Sequence, residues 1–205
     1  MARRTASPPH GRPSAERAPT AVPREVRIIG GQWKRTKLAV LDKPGLRPTP
    51  DRVRETLFNW LGHDLTGWRC VDAFAGTGAL GLEAASRGAT DVLLVEQDAD
   101  LVSRLRAVQE KLGANMIRIE RANGLSVLAR LPPASIDLIF LDPPFDAGIH
   151  EKALAASASA VTAEGLIYLE APTPWDDAAL AAYGLVRLRH LRAGPVHAHL
   201  LGRAA

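Results

Sequence analysis

Apolar and polar positions change their period along the chain, and the change predicts alternating strands and helices. Short runs rich in Val, Ile and Leu are followed by segments whose apolar positions recur every three or four residues. The predicted strands are 69–74, 91–96, 116–120, 136–141 and 165–170, and the predicted helices are 79–88, 98–112, 124–130 and 148–161. This order predicts an α/β fold with a mostly parallel sheet and helices on both faces.

The last part of the chain has a different pattern. Segments 184–191 and 196–202 have strand composition and are separated only by a short Gly-Pro turn. A parallel connection would need a crossover helix, for which this turn is too short. We therefore expect an antiparallel hairpin at one edge of a seven-stranded, Rossmann-like sheet.

The N-terminal part divides into an arm and an extension. Residues 1–23 hold Arg, Pro, Ala and Ser but few large apolar side chains, so we expect a disordered arm. Residues 24–50 contain two short apolar runs around Gly30-Gly31, which predicts a basic β-hairpin extension.

The main domain is expected over residues 51–205 and begins with a helix. Val53, Leu57, Trp60 and Leu61 fall on one helical face. Thr49 is predicted to be the N-cap and Pro50 the first helical residue.

Composition excludes several classes of protein. The chain has 205 residues, 46% of them hydrophobic, which suits one globular domain with an appendage. No apolar run approaches the roughly 20 residues of a membrane span, and the N-terminus lacks an apolar signal region. The single cysteine, Cys70, excludes an internal disulfide framework and a cysteine-rich zinc site. We expect a cytoplasmic monomer with no metal and no membrane contact.

Charge is distributed unevenly along the chain. Residues 1–54 hold 13 Lys and Arg against 4 Asp and Glu, whereas residues 55–205 hold 13 against 18. A basic arm on an acidic body predicts a polyanionic partner, and a merely solvated basic tail is the alternative.

A glycine-rich loop follows the first parallel strand. Gly76, Gly78 and Gly81 match the dinucleotide-binding spacing G-x-G-x-x-G, and Glu96 ends the next strand 20 residues after Gly76. This pattern is compatible with NAD. Asp72, however, lies just before the loop and would repel a pyrophosphate. A carboxylate at this position suits S-adenosylmethionine, which has a sulfonium, an amino group and no phosphate.

A second motif follows strand 136–141. Asp142-Pro143-Pro144-Phe145 comes at the carboxyl edge of the sheet, where open α/β sheets bind ligands. The Asp142 carboxylate and the Pro143 carbonyl can accept hydrogen bonds from the two N–H groups of an amine on a planar ring. The prolines fix the backbone, and Phe145 can stack on the ring. The motif therefore predicts methyl transfer to an exocyclic amine.

Together these segments resemble a known family. The chain resembles the RsmD family of bacterial methyltransferases, which use S-adenosylmethionine to methylate guanine N2 in 16S ribosomal RNA. The resemblance covers about residues 25–202, and the most specific segments are 26–33 (VRIIGGQW), 46–49 (LRPT), 51–61 (DRVRETLFNWL), 74–84 (FAGTGALGLEA) and 142–145 (DPPF).

The resemblance implies roles by position. It implies that S-adenosylmethionine is held by Asp72, Phe74, Ala75, Gly76, Thr77, Gly78, Glu96, Gln97, Asn123 and Gly124. Asp72 and the loop would hold the methionine part, Glu96 the ribose and Asn123 the adenine amine. It further implies that Asp142, Pro143, Pro144 and Phe145 hold the guanine. The expected partner is 16S ribosomal RNA, within the 30S subunit.

Basic residues near the N-terminus are the candidates for RNA contact. They are Arg27, Lys34, Arg35, Lys37, Arg47, Arg52 and Arg54. A solvated helix face is the structural alternative for the arginines of 47–54.

Three other functions stay open at this point. An adenine-N6 methyltransferase acting on DNA or RNA would use the same Asp-Pro-Pro-Phe chemistry. A non-catalytic RNA-binding assembly factor could keep the fold, although the intact acidic residues argue against it. An NAD-dependent oxidoreductase would bind NADH rather than S-adenosylhomocysteine.

Overall fold

A seven-stranded sheet forms the centre of the computed structural model, which describes residues 25–43, 49–144 and 148–204. The elements in chain order are β1 (Glu25–Arg27), β2 (Lys37–Ala39), α1 (Asp51–Leu61), β3 (Arg69–Asp72), α2 (Ala79–Ser86), β4 (Asp91–Glu96), α3 (Ala99–Leu112), β5 (Ile117–Arg121), α4 (Gly124–Leu128), β6 (Ile136–Leu141), α5 (Ile149–Ala160), β7 (Val161–Ala171), α6 (Asp177–Ala181), β8 (Leu185–Ala193) and β9 (Val196–Arg203). The predictions for residues 1–23, Arg47 and Phe145 lie outside the described residues.

The order of the strands confirms the predicted α/β class. The sheet runs β5-β4-β3-β6-β7-β9-β8, and its first five strands are parallel. β9 pairs antiparallel with both β7 and β8, so the expected edge hairpin is present. From β3 the chain builds the sheet in one direction through β4 to β5, and it then returns to the other side of β3 and continues from β6 to β7. The boundary between β3 and β6 is therefore the topological switch point of the sheet, and open α/β sheets bind ligands at such a point.

Apolar side chains on both faces of the sheet explain why its central strands are continuous hydrophobic runs. One core cluster contains Leu94 and Phe140 and includes apolar residues of α1, α2 and the N-terminal extension. The other contains Ile139 and Leu169 and includes apolar residues of α4 and α5. Because each central strand is buried on both faces, its polar residues are confined to its ends.

Two local predictions differ from the structure. α6 was not predicted, because a five-residue helix is too short for a periodic pattern; Asp176 caps it by accepting from the Ala179 N–H at 2.8 Å. The prediction of Thr49 as N-cap was wrong. Pro50 is the N-cap, and the Thr49 side chain turns away from the helix toward Glu170.

The N-terminal extension is fastened to α2 by one buried carboxylate. β1 and β2 form a separate antiparallel pair, as predicted. Glu83 accepts hydrogen bonds from the backbone N–H groups of Ile29 and Gly30 at 2.6 and 2.7 Å, and Arg87 donates to the same carboxylate at 2.8 Å. A buried carboxylate needs such partners, so this contact ties the extension to the main domain.

Arg54 forms the second link, and its predicted contact with RNA was wrong. Its side chain is fully buried. It donates to the backbone carbonyls of Thr49 at 3.2 Å and Arg27 at 2.8 Å and to the Asp51 carboxylate at 2.5 Å. The Arg54 side chain thus connects the loop before α1 with β1. Because it is buried by these contacts, it cannot bind a phosphate.

No helix in the described ranges is both long enough and apolar enough to cross a bilayer.

The docking of the extension onto α2 requires a glycine at position 31. Gly31 has φ +72°, and a Cβ there would lie 1.8 Å from the Ser86 carbonyl oxygen. We expect Gly31→Ala to lower the free energy of unfolding by about 3 kcal/mol or more, because backbone strain is added to a backbone clash. Urea denaturation of the purified protein measures this change.

Gly62→Ala is the matched control. Gly62 has a similar φ of +87° but no atom within 4 Å of the added Cβ. In this variant the free energy of unfolding should fall by only about 1 kcal/mol, which is the cost of holding alanine at a positive φ. Equal losses in the two variants would contradict the role of the close approach.

Candidate active site

Acidic residues from three neighbouring strands form a row at the carboxyl edge of the sheet. The register pairs Asp72 of β3 with Phe140 of β6, and Phe140 with Tyr168 of β7. Asp142 and Glu170 come two residues after Phe140 and Tyr168, and therefore point to the same side of the sheet. The switch point between β3 and β6 thus separates Asp72 from Asp142.

Asp72 is a buried carboxylate with spare hydrogen-bonding capacity. Its Oδ2 accepts from the Gly81 N–H at 3.0 Å, whereas its buried Oδ1 has no partner among the described residues. Burial raises the pKa of Asp72 to about 7, and the nearby Glu96 adds to the increase. An orphaned buried oxygen of this kind fits a cationic or amine-bearing group.

The glycine loop is held in shape by the next strand. The Gly76 N–H donates to Glu96 Oε2 at 2.9 Å, and Glu96 Oε1 accepts from the Asp98 N–H at 2.8 Å. Gly78 is the N-cap of α2 with φ +78°, a conformation that other residues adopt at a cost. Each Glu96 oxygen keeps a lone pair, so this carboxylate can also accept hydrogen bonds from sugar hydroxyls.

The remaining predicted cofactor residues line the same edge. Asn123 caps α4, and its Oδ1 accepts from the Ser126 N–H at 3.2 Å. Gln97 is exposed after β4, and Phe74 packs at the start of α4, where a Cβ on Gly124 would lie 2.9 Å from its ring. Ala75 and Thr77 belong to the loop itself. The structure therefore brings these predicted residues together at the carboxyl ends of β3, β4 and β5.

The Asp-Pro-Pro turn lies on the other side of the switch point. β6 ends at Leu141, and Asp142 follows at the sheet edge with Pro143 buried and Pro144 exposed. Burial and the nearby carboxylates of Glu170 and Asp72 raise the pKa of Asp142 well above its usual range. Asp142 therefore binds its proton tightly until a positive charge or a hydrogen-bond donor approaches it.

Thr49 and Glu170 are site residues that the sequence did not indicate. The Thr49 hydroxyl lies 2.7 Å from Glu170 Oε1 and 3.4 Å from Asp142 Oδ2, so it bridges the two carboxyl groups. The Tyr168 hydroxyl donates to the same Glu170 oxygen at 2.8 Å. Burial raises the pKa of Glu170, and the hydrogen bonds from Thr49 and Tyr168 oppose that increase.

Among the described residues, these three carboxyl groups have no cationic partner. Within the described ranges, no Lys or Arg forms an ion pair with Asp72, Asp142 or Glu170. Elsewhere in the molecule, buried Glu83 has Arg87 at 2.8 Å. The carboxyl edge thus gathers groups whose ionised form is disfavoured in the ligand-free protein and would be stabilised by a positively charged ligand or by amine donors.

The predicted RNA contacts separate into exposed and buried side chains. Arg27, Lys34, Arg35, Lys37 and Arg52 are exposed on the N-terminal extension and α1. Lys37 forms a surface ion pair with Glu25 at 2.9 Å. Of the seven predicted residues, only Arg54 is excluded by burial, and Arg47 is outside the described residues.

Comparison with known proteins places the chain in a family. The family model described as "Conserved hypothetical protein 95" matches residues 26–201. Ribosomal RNA small subunit methyltransferase D of Escherichia coli (strain K12) is 45% identical over 148 residues, which is 71% of this chain and 74% of that protein. The protein of the same name from Haemophilus influenzae is 40% identical over 151 residues, or 71% of this chain and 78% of its own.

Solved structures agree with the sequence comparison. A putative methyltransferase, yhhF, from Escherichia coli superimposes with a TM-score of 0.76 at 40% identity, covering 88% of this chain and 99% of its own. A putative methylase, HI0767, from Haemophilus influenzae gives a TM-score of 0.72 at 31% identity, covering 88% and 99%. The chain therefore belongs to the "Conserved hypothetical protein 95" family, the RsmD family of ribosomal RNA methyltransferases.

Proposed function

We propose that this protein transfers a methyl group from S-adenosylmethionine to the exocyclic N2 amine of a guanine in 16S ribosomal RNA. The observation that carries the proposal is the arrangement at the switch point. Asp72 offers an unpartnered buried oxygen on β3, and Asp142-Pro143 offers two acceptors on the adjacent strand β6. The names of the methyltransferase D relatives support small-subunit ribosomal RNA as the substrate.

The cofactor half of the site is assigned to β3, β4 and β5. When bound, S-adenosylmethionine supplies a methyl group on a positively charged sulfur. Asp72 attracts that positive charge and the amino group, the loop 75–78 leaves room for the methionine part, and Glu96 accepts from the ribose hydroxyls. Asn123 accepts from the adenine amine with the second lone pair of its Oδ1. The free Asp72 oxygen supports this fit.

The substrate half is assigned to the turn after β6. A guanine N2 is a poor nucleophile, because its lone pair is delocalised into the ring. The Asp142 carboxylate and the Pro143 carbonyl each accept one N–H of the amine, which holds the lone pair in line with the methyl group. Methyl transfer would replace one N–H of the amine with N–CH3, and the Asp142 carboxylate would accept the proton that the amine loses. Phe145 is proposed to stack on the base.

The substrate is proposed to be the assembled 30S subunit in the cytoplasm. A guanine must leave its stack to reach the turn after β6, and RNA loops allow this at low cost. The exposed cations of the N-terminal extension, Arg27, Lys34, Arg35, Lys37 and Arg52, would hold phosphates while the base is turned outward. Arg47 is proposed to act with them.

Nucleoside analysis tests the proposal. Purified protein is incubated with methyl-labelled S-adenosylmethionine and with 30S subunits lacking the modification, naked 16S RNA or DNA. We expect N2-methylguanosine from the 30S subunit. Methylated adenine, or label in DNA, would contradict the assigned substrate while leaving the cofactor assignment intact.

Asp142→Ala separates catalysis from cofactor binding. The variant loses one of the two acceptors for the amine but none of the groups assigned to the cofactor. We expect turnover to fall by at least a thousandfold, while the Kd for S-adenosylhomocysteine changes less than threefold. Turnover within tenfold of the wild-type value would contradict the role of Asp142.

Asp72→Asn should make the protein more stable at neutral pH and weaken its binding of the cofactor. The pKa of Asp72 is about 7 in the folded protein against 3.8 ordinarily. Between these values the folded protein holds a proton that the unfolded chain has lost, so stability falls as the pH rises from 4 to 7 and stays lower above it. The amide cannot ionise, so the variant lacks this fall and its Tm at pH 8 should be several degrees higher.

Thermal unfolding at several pH values and calorimetry with S-adenosylhomocysteine test the Asp72→Asn prediction. The variant should bind this ligand at least tenfold more weakly than the wild type. A variant that is less stable at pH 8 and has the same pH dependence as the wild type would argue against a buried, unpaired carboxylate at position 72.

Glu170→Gln should move the acid limb of the pH–rate profile. The negative charge of Glu170 raises the pKa of Asp142, which must be ionised to accept from the amine. Removing that charge lowers the pKa of Asp142, so we expect the acid limb of kcat/KM to move to lower pH. Glu164→Gln, an exposed carboxylate near the opposite end of β7, is the control and should leave the limb unchanged. Identical profiles for both variants would refute the coupling.

A further inference from the structure

The edge strand β8 has an unusual charge pattern for a body that is acidic overall. Residues 55–177 contain 9 Lys and Arg against 18 Asp and Glu, whereas residues 178–205 contain four arginines and no acidic residue. Three of those arginines, Arg187, Arg189 and Arg192, lie on β8. The acidic and basic parts of the main domain therefore occupy different regions of the sheet.

β8 presents most of its side chains to solvent. Residues 186–190 are all exposed, including Val186 and Leu188 at 40% and 41%. Arg187 is partly neutralised by Asp177 at 3.5 Å. Arg189 and Arg192 contact only backbone carbonyls, those of Leu188 and Gly194, and have no carboxylate partner within the described ranges. Their positive charge is therefore available to a partner.

The register places this strand beside the substrate half of the site. Ala171, at the end of β7, pairs with His197 of β9, which pairs with Arg192 of β8. Tyr168, two residues before Glu170 on β7, pairs with Leu200 of β9, which pairs with Arg189 of β8. Three strand spacings separate β6 from β8, which is about 14 Å. A few nucleotides of RNA on either side of a base at Asp142 would cover that distance.

We propose that the β8 edge of the sheet binds RNA phosphates, with Arg189 and Arg192, which lie on opposite faces of this edge strand, as its principal contacts. The inference rests on the proposed function and adds a second RNA surface to the N-terminal extension. Charge complementarity selects the occupant, because a polyanion gains from a strand with two unpaired arginines. The exposed Val186 and Leu188 offer apolar contact area beside Arg189.

A second copy of the chain fits this strand less well. Two antiparallel copies of β8 paired about Arg189 would place this arginine opposite its own copy, and like charges directly opposite each other are destabilising. Arginines on an edge strand also discourage such pairing. Self-association through β8 is therefore an outcome for the experiment to test, not the proposal.

A charge-matched pair of double variants tests the surface. Arg189→Gln/Arg192→Gln removes two charges from β8. Arg104→Gln/Arg106→Gln removes two exposed charges from α3, which packs beside β4 and β5 on the cofactor half. Co-sedimentation with 30S subunits that lack the modification, over a range of salt concentrations, measures affinity for the RNA without requiring turnover, so loss of binding and failure of the proposed reaction are distinguishable.

The β8 variant should bind the RNA about tenfold more weakly. The slope of log affinity against log salt concentration should also fall by about 1 to 2. The α3 variant should stay within twofold of wild type, and both variants should keep their affinity for S-adenosylhomocysteine.

Two results would overturn the assignment. Equal losses in both variants would show that only net charge matters. Unchanged RNA binding by the β8 variant, with or without a shift to dimers in light scattering, would show that the arginines only protect the strand edge.

Discussion

A cluster of carboxyl groups with raised pKa values, at the carboxyl edge of the sheet, is the constraint on which this site depends. Asp72, Asp142 and Glu170 lie on adjacent strands without a cationic partner in the described protein. Such an arrangement costs stability in the ligand-free state and favours a ligand that brings positive charge. The sulfonium and amino groups of the proposed cofactor supply positive charge, and the neutral amine of the proposed substrate supplies hydrogen-bond donors. One electrostatic feature therefore accounts for both halves of the site.

The N-terminal extension is connected to the carboxyl cluster by hydrogen bonds. Arg54 holds the backbone of Thr49, and Thr49 bridges Asp142 and Glu170. Arg54 also holds β1 through the Arg27 carbonyl, and Glu83 holds the following backbone. The segment that presents basic side chains to solvent is thus connected through two buried charged residues to the turn that is proposed to bind the guanine. Substrate docking and the positioning of Asp142 share one set of contacts.

The fold and half of the site could be predicted from local pattern. β3 and β6 are apolar runs that stop at Asp72 and just before Asp142, and strand ends meet at one edge of a parallel sheet whatever their separation in sequence. The bridge from Thr49 to Glu170 spans 121 residues, and no local pattern records such a pairing. Arg54 was expected to be exposed because it lies off the apolar face of α1. Its guanidinium is instead buried by β1 and α2. The periodicity of a single helix contains no information about such neighbours.

Calorimetry of S-adenosylhomocysteine binding at pH 7, in two buffers of different ionisation enthalpy, measures whether Asp72 gives up a proton when the ligand binds. The amino group of this ligand is positive, and the pKa of Asp72 in the free protein is about 7. Binding should therefore release part of a proton per site, and Asp72→Asn should release less than the wild type. Equal binding enthalpies in both buffers for the wild type would mean that Asp72 is already ionised, and would contradict a carboxyl edge held protonated until its ligand arrives.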